Sequence, residues 1–366
     1  MNAAVSPGSL LVAAAGTGGH VLPGLAVARA LREAGWRVAW IGTEGGREGD
    51  WVRAEGIDFE ALPFRGVRGK GLARLLAAPF AILRAALVAR AIARRRGAQV
   101  LLVTGGYVAV PAGIGARLAG ARIAFLHADA APQLSLRLLG PLVSRVLCGF
   151  DGPACAGAGP RGAVTGVPVR GDIAALAPPE ERLAGAEGPL RLLVLGGSLG
   201  ARALNEVLPG ALALLAPGAR PRVLHQCGAG HEDDTRARYA AAGIEAEVRA
   251  FLPDMAAQYA GADLVVCRAG AVTVAELCAA GVASILVPLV ARTTDHQRGN
   301  ARMLAAAGAA LVLEPAQFAP APLAALLRGA SRPRLMQIAR AARALGRRDA
   351  TRAVADEIVR LRAAGA

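Results

Sequence analysis

Residues 10–20 read LLVAAAGTGGH, a short apolar run that leads directly into a glycine-rich turn. The run is too short to cross a membrane and has the length of a buried strand. Glycines let the backbone adopt positive φ angles and approach a ligand closely. Pro23 suits the start of a helix, because its missing N–H costs nothing there. We therefore predict a strand, a tight turn and a helix over 23–34.

The same alternation of apolar runs and helix-length segments continues along the chain in two series. The predicted strands of the first series are 10–15, 37–41, 100–104, 122–126 and 145–148, and those of the second are 191–195, 222–226, 247–251, 264–267 and 284–287. Helices are predicted between them, for example over 201–215 and 273–280. Such alternation is typical of parallel βαβ units. With 366 residues, at roughly 150 per domain, we predict two Rossmann-like, doubly wound α/β domains.

The break between the two series falls near residues 171–188, which contain Pro178-Pro179, four acidic residues and little apolar periodicity. The predicted organisation is an N-terminal domain over 1–165, a linker over 166–188, a C-terminal domain over 189–345 and a C-terminal helix over 346–366 that can pack back on the N-terminal domain. Ligands of open parallel sheets bind outside the carboxyl ends of the strands. Two such sheets facing each other predict a binding cleft between the domains.

The composition is strongly basic, with 42 Lys and Arg against 27 Asp and Glu, a net charge of +15. This balance favours an anionic partner, which can be nucleic acid, an anionic membrane or a phosphorylated substrate. Aromatic residues make up only 4% of the chain, which argues against the stacking platforms of single-strand nucleic-acid binding. The five cysteines contain no CxxC pair, so we expect a reducing cytoplasm and neither a disulfide scaffold nor a zinc site.

Two uncharged stretches are candidates for a membrane-spanning helix or a secretory signal. Residues 1–28 lack the basic start of a secretory signal, and residues 97–116 are broken by Gly105-Gly106 and Pro111. A membrane-spanning helix needs about 20 predominantly apolar residues. We therefore expect a soluble protein whose membrane contact, if any, is peripheral.

Polar groups follow three strands of the first series, at 16–20, 104–107 and 127–129. A helix start after a glycine loop attracts anions through its free N–H groups. His20 beside such a loop can act as a base near neutral pH. A tight strand–helix turn with a structural histidine explains the same residues and stays open.

The second series carries three comparable loops. Residues 196–202 can hold a phosphate through backbone N–H groups and the Ser198 hydroxyl, and Glu276 can accept hydrogen bonds from the two vicinal hydroxyls of a ribose. Residues 293–300 contain the amide and carboxylate groups that bind sugar hydroxyls. Simple compensation of a helix dipole by Glu276, and a solvated helix start capped by Asp295, remain alternatives.

Taken together, the loops resemble the MurG family of peptidoglycan glycosyltransferases over about residues 9–320. The motifs that carry the resemblance, in order, are GTGGHVLPGLA (16–26), GGYVAVP (105–111), GVPVR (166–170), GGSLGAR (196–202) with Asn205, FLPDM (251–255) and CRAGAVTVAE (267–276). The resemblance implies a GT-B fold, with two Rossmann-like domains facing across a cleft. It also implies inverting transfer of N-acetylglucosamine from UDP-N-acetylglucosamine to lipid I, which makes lipid II.

The resemblance assigns the nucleotide sugar to the C-terminal domain. The implied donor-binding residues are Thr17, Gly18, Gly19, Arg170, Ser198, Leu252, Ala271, Val272, Thr273, Val274, Ala275, Glu276, His296 and Gln297. Among these, Ser198 and Thr273 would lie near the diphosphate, and Leu252 would contact the uracil through its backbone. Glu276 would bind the ribose, while His296 and Gln297 align with a Gln-Gln pair that binds the transferred sugar.

The N-terminal domain would hold the acceptor along a face formed by the glycine loops. The implied acceptor-binding residues are Gly105, Gly106, Tyr107 and Asp129. Inversion requires a base for the attacking 4-hydroxyl; His20 is our first candidate and His127 the second. Helix N-termini can stabilise the diphosphate, and the sequence contains no DxD-like metal pair, so we predict no metal and no other cofactor.

The chain departs from the family pattern in four motifs. The family's HEQN is HADA at 127–130, which places Ala130 where the family has Asn, and Ala109 replaces the Ser of GGYxS. Leu199 replaces the Gln of GGSQG, and His296 replaces one Gln of the pair. A divergent paralogue that acts on another sugar or lipid acceptor therefore stays open.

Residues 64–96 combine basic and apolar residues. Residues 64–71 precede two predicted helical segments, 72–80 and 82–96, the second with arginines at 84, 90, 94, 95 and 96. Basic residues beside an apolar helical surface suit an anionic membrane. The prediction is a peripheral protein on the cytoplasmic face of the bacterial cell membrane. An amphipathic core helix with a basic outer face explains the second segment equally well.

The resemblance further implies roles in cell wall biogenesis, cell shape, cell division and the cell cycle, with other cell-wall synthesis or division proteins as partners, and no nucleic acid. Alternatives are another GT-B enzyme, namely a glycolipid glycosyltransferase or a UDP-sugar epimerase, and a homologue without activity. A basic nucleic-acid-binding protein would bind with a steep dependence on salt. That alternative leaves Glu276 and the ordered glycine loops unexplained.

Overall fold

The computed structural model describes residues 7–16, 18–64, 71–130, 134–197, 200–289 and 296–364, apart from the side chains of 71–76 and 154. The chain forms two compact units. The first comprises Met1–Arg170 and Asp349–Ala366, and the second comprises Gly171–Arg348.

The first unit is a parallel sheet with helices packed on it. Its strands are β1 (Ser9–Ala14), β2 (Arg37–Thr43), β3 (Asp58–Leu62), β4 (Val100–Gly105), β5 (Arg122–His127), β6 (Arg145–Cys148) and β7 (Gly162–Val164). Its first helices are α1 (Gly18–Glu33), α2 (Glu48–Ala54), α3 (Gly71–Arg95), α4 (Ala109–Leu118), α5 (Leu134–Leu139) and α6 (Pro153–Gly157). Within the described residues the strand order is β3-β2-β1-β4-β5-β6-β7.

The second unit repeats this architecture. Its helices are α7 (Gly171–Ala174), α8 (Pro179–Arg182), α9 (Arg202–Ala213), α10 (Glu232–Ala241), α11 (Met255–Gly261), α12 (Ala271–Ala280), α13 (His296–Ala306), α14 (Pro320–Arg328) and α15 (Arg332–Leu345). Its strands are β8 (Arg191–Leu195), β9 (Arg222–Gln226), β10 (Glu247–Arg249), β11 (Leu264–Cys267), β12 (Ser284–Leu286) and β13 (Leu311–Val312). They pair in the order β10-β9-β8-β11-β12-β13.

Each sheet changes direction once in its strand order. The reversal lies between β1 and β4 in the first unit and between β8 and β11 in the second, and all of these pairs are parallel. At such a reversal the loops that follow the two central strands diverge to opposite faces and leave a crevice for a ligand. The doubly wound α/β class predicted from the sequence is confirmed.

The strands that the sequence analysis missed lie at the sheet edges. β3 and β7 are the outermost strands of the first sheet, and β13 is an outermost strand of the second. β3 carries two acidic residues, while β7 and β13 have three and two residues. An edge strand is covered on fewer sides, so it needs no apolar run of the kind that reveals a central strand.

Three helices begin earlier than the sequence predicts. α1 begins at Gly18 rather than 23, α12 at Ala271 rather than 273, and α13 at His296 rather than 301. The opening residues are mostly half-buried rather than packed in the core, and apolar spacing therefore does not mark them. His296 and Gln297 accordingly lie in the first turn of α13.

Two prolines lie inside helices, which corrects two expectations. Pro23 is the sixth residue of α1 and does not start it. Pro79 lies within α3, a single helix of 25 residues where two segments are predicted. An internal proline removes one backbone hydrogen bond. In α1, Val21 and Leu25 are buried in the core on either side of Pro23. In α3, residues after Pro79, such as Ala85 and Ala89, are buried in the core.

The C-terminal helix α16 (Ala350–Ala363) belongs to the first unit. Val354, Ile358 and Leu361 are buried in one apolar cluster with residues of α1, β1 and β4. Arg145 Nε on β6 donates to Glu357 Oε2 at 2.6 Å. The last helix of the chain therefore covers the sheet formed by the first 170 residues.

Replacing Ile358 by Ala should destabilise the first unit by about 2–5 kcal/mol, because the side chain is fully buried and leaves a cavity. All three tryptophans, Trp36, Trp40 and Trp51, lie in this unit. Urea unfolding followed by tryptophan fluorescence therefore reports on it directly. Arg352→Ala, at an exposed position of the same helix, is the control; equal shifts for both variants would contradict the packing of α16.

Candidate active site

The glycine loops of the first unit pack backbone against backbone at the carboxyl ends of β1 and β4. Gly16, Gly105 and Gly106 have φ angles of 100°, 132° and 86°. A Cβ atom on Gly106 would lie 2.2 Å from the Ala15 carbonyl oxygen. Only glycine fits there, since it lacks the side chain and adopts positive φ without strain. The predicted acceptor residues Gly105 and Gly106 therefore shape the crevice beside β1.

His20 lies in the first turn of α1, at the centre of this arrangement. Its Nδ1 atom is 3.3 Å from the Ala15 carbonyl oxygen, and the Thr104 hydroxyl donates to the His20 carbonyl oxygen at 2.7 Å. A Cβ atom on Gly105 would lie 2.4 Å from the imidazole Cδ2. The ring is thus held between β1 and β4 and is half-buried.

This environment determines which imidazole nitrogen can take a proton. A carbonyl oxygen only accepts, so the contact with Ala15 requires the hydrogen on Nδ1. Nε2 then carries the lone pair. Burial lowers the pKa of His20 below its ordinary value of 6.5, while the Ala15 contact and the negative charge of Asp129 oppose this shift. The ring is therefore neutral at pH 7, in the state required of a general base.

A buried carboxylate supports the same loop. Glu48, the first residue of α2, is almost fully buried. Its Oε1 accepts the Thr43 N–H at 2.8 Å, and its Oε2 accepts the Gly16 N–H at 3.4 Å. Glu48 thereby joins the end of β2 to the turn before His20. No motif in the sequence marks this role.

The other predicted residues of the first unit lie at the same edge of the sheet or border it. Gly18 and Gly19 open α1, His127 ends β5 and is buried, Asp129 is half-buried, and Tyr107 is exposed. The charge of Asp129 acts on His20, which indicates that the two groups are close. Arg170 is half-buried and is the last residue of the 1–170 segment of the first unit. Thr17 lies outside the described residues.

The glycine loop of the second unit packs on the end of β9. Gly197 and Gly200 have φ angles of 79° and 74°, and a Cβ atom on Gly200 would lie 2.5 Å from the Cys227 carbonyl oxygen. Asn205 Nδ2 donates to the same oxygen at 3.2 Å. The loop between β8 and α9 is thus held close to its neighbour, although Ser198 and Leu199 lie outside the described residues.

The loop between β11 and α12 forms the other side of the second reversal. Residues 271–276 occupy the first turns of α12, which Gly270 precedes as the N-cap residue. Asn300 Nδ2 donates to the Ala269 carbonyl oxygen at 3.0 Å and so connects α13 to this loop. Glu276 faces inward with 5% of its surface exposed, and the Tyr259 hydroxyl donates to its Oε2 at 3.1 Å.

The remaining predicted donor residues lie on separate elements of the second unit. Leu252 is buried just after β10. His296 and Gln297 open α13, and Gln297 Oε1 accepts the Leu289 N–H at 2.7 Å. Sequence reasoning missed Tyr259, because nothing in its alanine-rich helix indicates which group its hydroxyl contacts.

Comparison with known proteins identifies both units. Residues 10–148 match the model of the glycosyltransferase family 28 N-terminal domain, and residues 191–357 match that of the glycosyltransferase family 28 C-terminal domain. Together the matches cover most of the chain and both glycine-loop crevices.

Relatives of similar length match nearly the whole chain. A protein of Methylibium petroleiphilum is 52% identical over 96% of this chain and 97% of its own length. One of Herminiimonas arsenicoxydans is 50% identical over 96% and 98%. Both are named UDP-N-acetylglucosamine–N-acetylmuramyl-(pentapeptide) pyrophosphoryl-undecaprenol N-acetylglucosamine transferase.

A solved structure agrees with these sequences. The crystal structure of Acinetobacter baumannii MurG is 36% identical, covers 96% of this chain and 99% of its own, and superposes with a TM-score of 0.81. The two domain matches, the full-length relatives and this structure agree with the GT-B arrangement of two doubly wound units. The chain belongs to glycosyltransferase family 28 and, within it, to the MurG family.

Proposed function

We propose that this chain is an inverting glycosyltransferase. It transfers N-acetylglucosamine from UDP-N-acetylglucosamine to the 4-hydroxyl of the N-acetylmuramyl unit of lipid I, forming lipid II in peptidoglycan synthesis. The relatives' names supply the two substrates. The observation in the structure that supports the chemistry best is His20, a neutral imidazole held at the first reversal with its lone pair on Nε2.

The first unit is proposed to bind the acceptor. Gly105, Gly106 and Tyr107 lie at the carboxyl end of β4 and Asp129 just after β5; of these, Gly105 packs against the His20 ring. His20 Nε2 takes the proton of the acceptor hydroxyl as its oxygen attacks the anomeric carbon and the bond to UDP breaks. His127 is the second candidate for the base; its burial leaves less of its ring accessible than that of His20.

The second unit is proposed to bind the donor. Residues 271–276 form the N-terminus of α12, whose partial positive charge would stabilise the diphosphate. Glu276 holds the ribose hydroxyls and Leu252 the uracil, while His296 and Gln297 bind the transferred sugar. Ser198 and Arg170 complete the donor contacts, with Thr17, Gly18 and Gly19 of the first glycine loop.

Peripheral attachment to the cytoplasmic face of an anionic membrane is proposed for the surface of α3. Phe80, Leu83 and Leu87 share one face of this helix and are 78%, 55% and 50% exposed, with Arg84 exposed beside them. Apolar side chains next to a base suit a lipid interface. None of the described helices is both long and apolar enough to cross a bilayer.

The proposed reaction places the chain in cell wall biogenesis. Roles in cell shape, cell division and the cell cycle, and contacts with other cell-wall synthesis or division proteins, stay predictions from the family resemblance. Co-purification of the chain with such proteins from its own cells would test them, and their absence from the purified material would contradict them.

Donor choice tests the proposed function directly. Labelled UDP-N-acetylglucosamine, UDP-N-acetylgalactosamine and UDP-glucose are offered in parallel with a lipid I analogue. We expect transfer of N-acetylglucosamine at least about a hundredfold faster than either other sugar, because hydrogen-bonded sites discriminate strongly. Preference for another sugar, or interconversion of UDP-sugars without acceptor, would instead support a divergent paralogue or an epimerase.

The role of His20 as base predicts a specific kinetic defect. His20→Ala should lower kcat by about 10²–10⁴-fold while the affinity for UDP-N-acetylglucosamine stays close to that of the wild type. Because burial lowers the pKa of His20, wild-type kcat/KM should be constant through neutral pH and fall only in acid below 6.5. Equal losses of turnover and donor affinity would argue against this role.

The proposed membrane surface is tested with phosphatidylglycerol and phosphatidylcholine vesicles. A Phe80→Ser, Leu83→Ser, Leu87→Ser variant should bind the anionic vesicles about tenfold or more weakly, since it loses exposed apolar surface. Leu214→Ser with Leu345→Ser, also at exposed leucines, is the matched control. If both variants bind as the wild type does, α3 is not the membrane contact.

A further inference from the structure

A buried hydrogen bond in the second unit joins a tyrosine to the carboxylate proposed to bind the ribose. Tyr259, on α11, is 1% exposed, and Glu276, on α12, is 5% exposed. The tyrosine hydroxyl donates to Glu276 Oε2 at 3.1 Å. An ionised carboxylate has about four acceptor positions, and this bond fixes the orientation of the group.

The backbone of Tyr259 is itself fixed by an arginine from the segment before β8. Arg182 Nη1 donates to the carbonyl oxygens of Tyr259 and Ala260, both at 3.1 Å. Its Nη2 donates to the carbonyl oxygens of Ala280 and Gly281 at 3.0 and 2.8 Å. One guanidinium thus joins the end of α11 to the end of α12, and the tyrosine side chain joins the same two helices at Glu276.

We propose that Tyr259 is a positioning residue for the donor nucleotide. Its hydroxyl holds the Glu276 carboxylate in the orientation that accepts hydrogen bonds from the vicinal 2′- and 3′-hydroxyls of a ribose. The inference deepens the proposed function and rests on it, since it takes Glu276 as the ribose ligand. A flexible carboxylate would lose side-chain entropy on binding, whereas a restrained one has already lost it.

In this role the Tyr259 hydroxyl increases the affinity only for ligands that have ribose hydroxyls. A tyrosine that simply satisfies a buried acid would affect stability but not distinguish a ribose from a dideoxyribose. The two possibilities therefore differ in ligand dependence rather than in the size of a single effect, and binding measurements separate them.

The experiment measures binding of UDP and of 2′,3′-dideoxyuridine diphosphate to the full chain by calorimetry. Tyr259→Phe should bind UDP about tenfold more weakly than the wild type, because the Glu276 side chain then loses its conformational freedom only on binding. Both proteins should bind the dideoxy nucleotide within about twofold of each other.

The matched control is Tyr239→Phe. Tyr239 is also a buried tyrosine of the second unit, with its hydroxyl 2.9 Å from His225 Nδ1. This variant loses a comparable buried hydroxyl and should bind UDP as the wild type does. Equal weakening by both variants, or equal weakening of Tyr259→Phe towards both nucleotides, would overturn the inference.

Glu276→Ala distinguishes failure of the inference from failure of the proposed donor site. If Glu276→Ala weakens UDP binding and Tyr259→Phe does not, the donor site stands and the positioning role is wrong. If Glu276→Ala leaves UDP affinity unchanged, the ribose contact itself is wrong and the inference fails with it. In support of the inference, adding Tyr259→Phe to Glu276→Ala should cause no further loss of affinity.

Discussion

Everything at the candidate site depends on the parallel pairing of the strands. Parallel strands all end at the same edge of the sheet. The strand pairing alone therefore brings together the loops that follow β1, β4 and β5. The reversals at β1/β4 and β8/β11 then separate neighbouring loops and open a crevice in each unit. The glycines at these points, such as Gly106 against the Ala15 carbonyl, are a consequence of how closely two backbones approach.

The central strands could be predicted from sequence because they are covered on both faces. Residues 10–14 of β1 and 100–103 of β4 are fully buried and form unbroken apolar runs. β3, β7 and β13 escaped prediction because they lie at sheet edges and carry no such pattern. The early starts of α1, α12 and α13 escaped it for a related reason, since a first turn outside the core needs no apolar spacing.

Residues of the candidate site could be predicted from the sequence where they belong to a short local motif. His20 and Glu276 follow glycine-containing turns in the sequence, and both lie where such turns place them. Glu48 and Tyr259 act on those loops from other elements, 32 and 17 residues away from their partners. Contacts of that kind depend on tertiary packing, so no local pattern of residues indicates them.

The net charge of +15 also has a different meaning once the arginines are located. Arg182 donates to backbone carbonyl oxygens at the ends of α11 and α12, and Arg343 donates to those of Ala279 and Leu176, each at 2.7 Å. Burial lowers the pKa of both guanidiniums. Part of the excess charge therefore serves to hold helix ends inside the second unit, and only the remainder is available to an anionic partner.

The packing of α16 against the first sheet constrains how the protein is made. Translation delivers α1 before the second unit and α16 after it, yet Leu31 and Ile358 share one apolar cluster. Residues 1–170 of the first unit consequently leave the ribosome with part of their core uncovered. They stay so until the second unit has been synthesised. The first unit therefore cannot complete its folding on the ribosome before the second unit has been synthesised. Premature termination before α16 would expose apolar surface in the first unit.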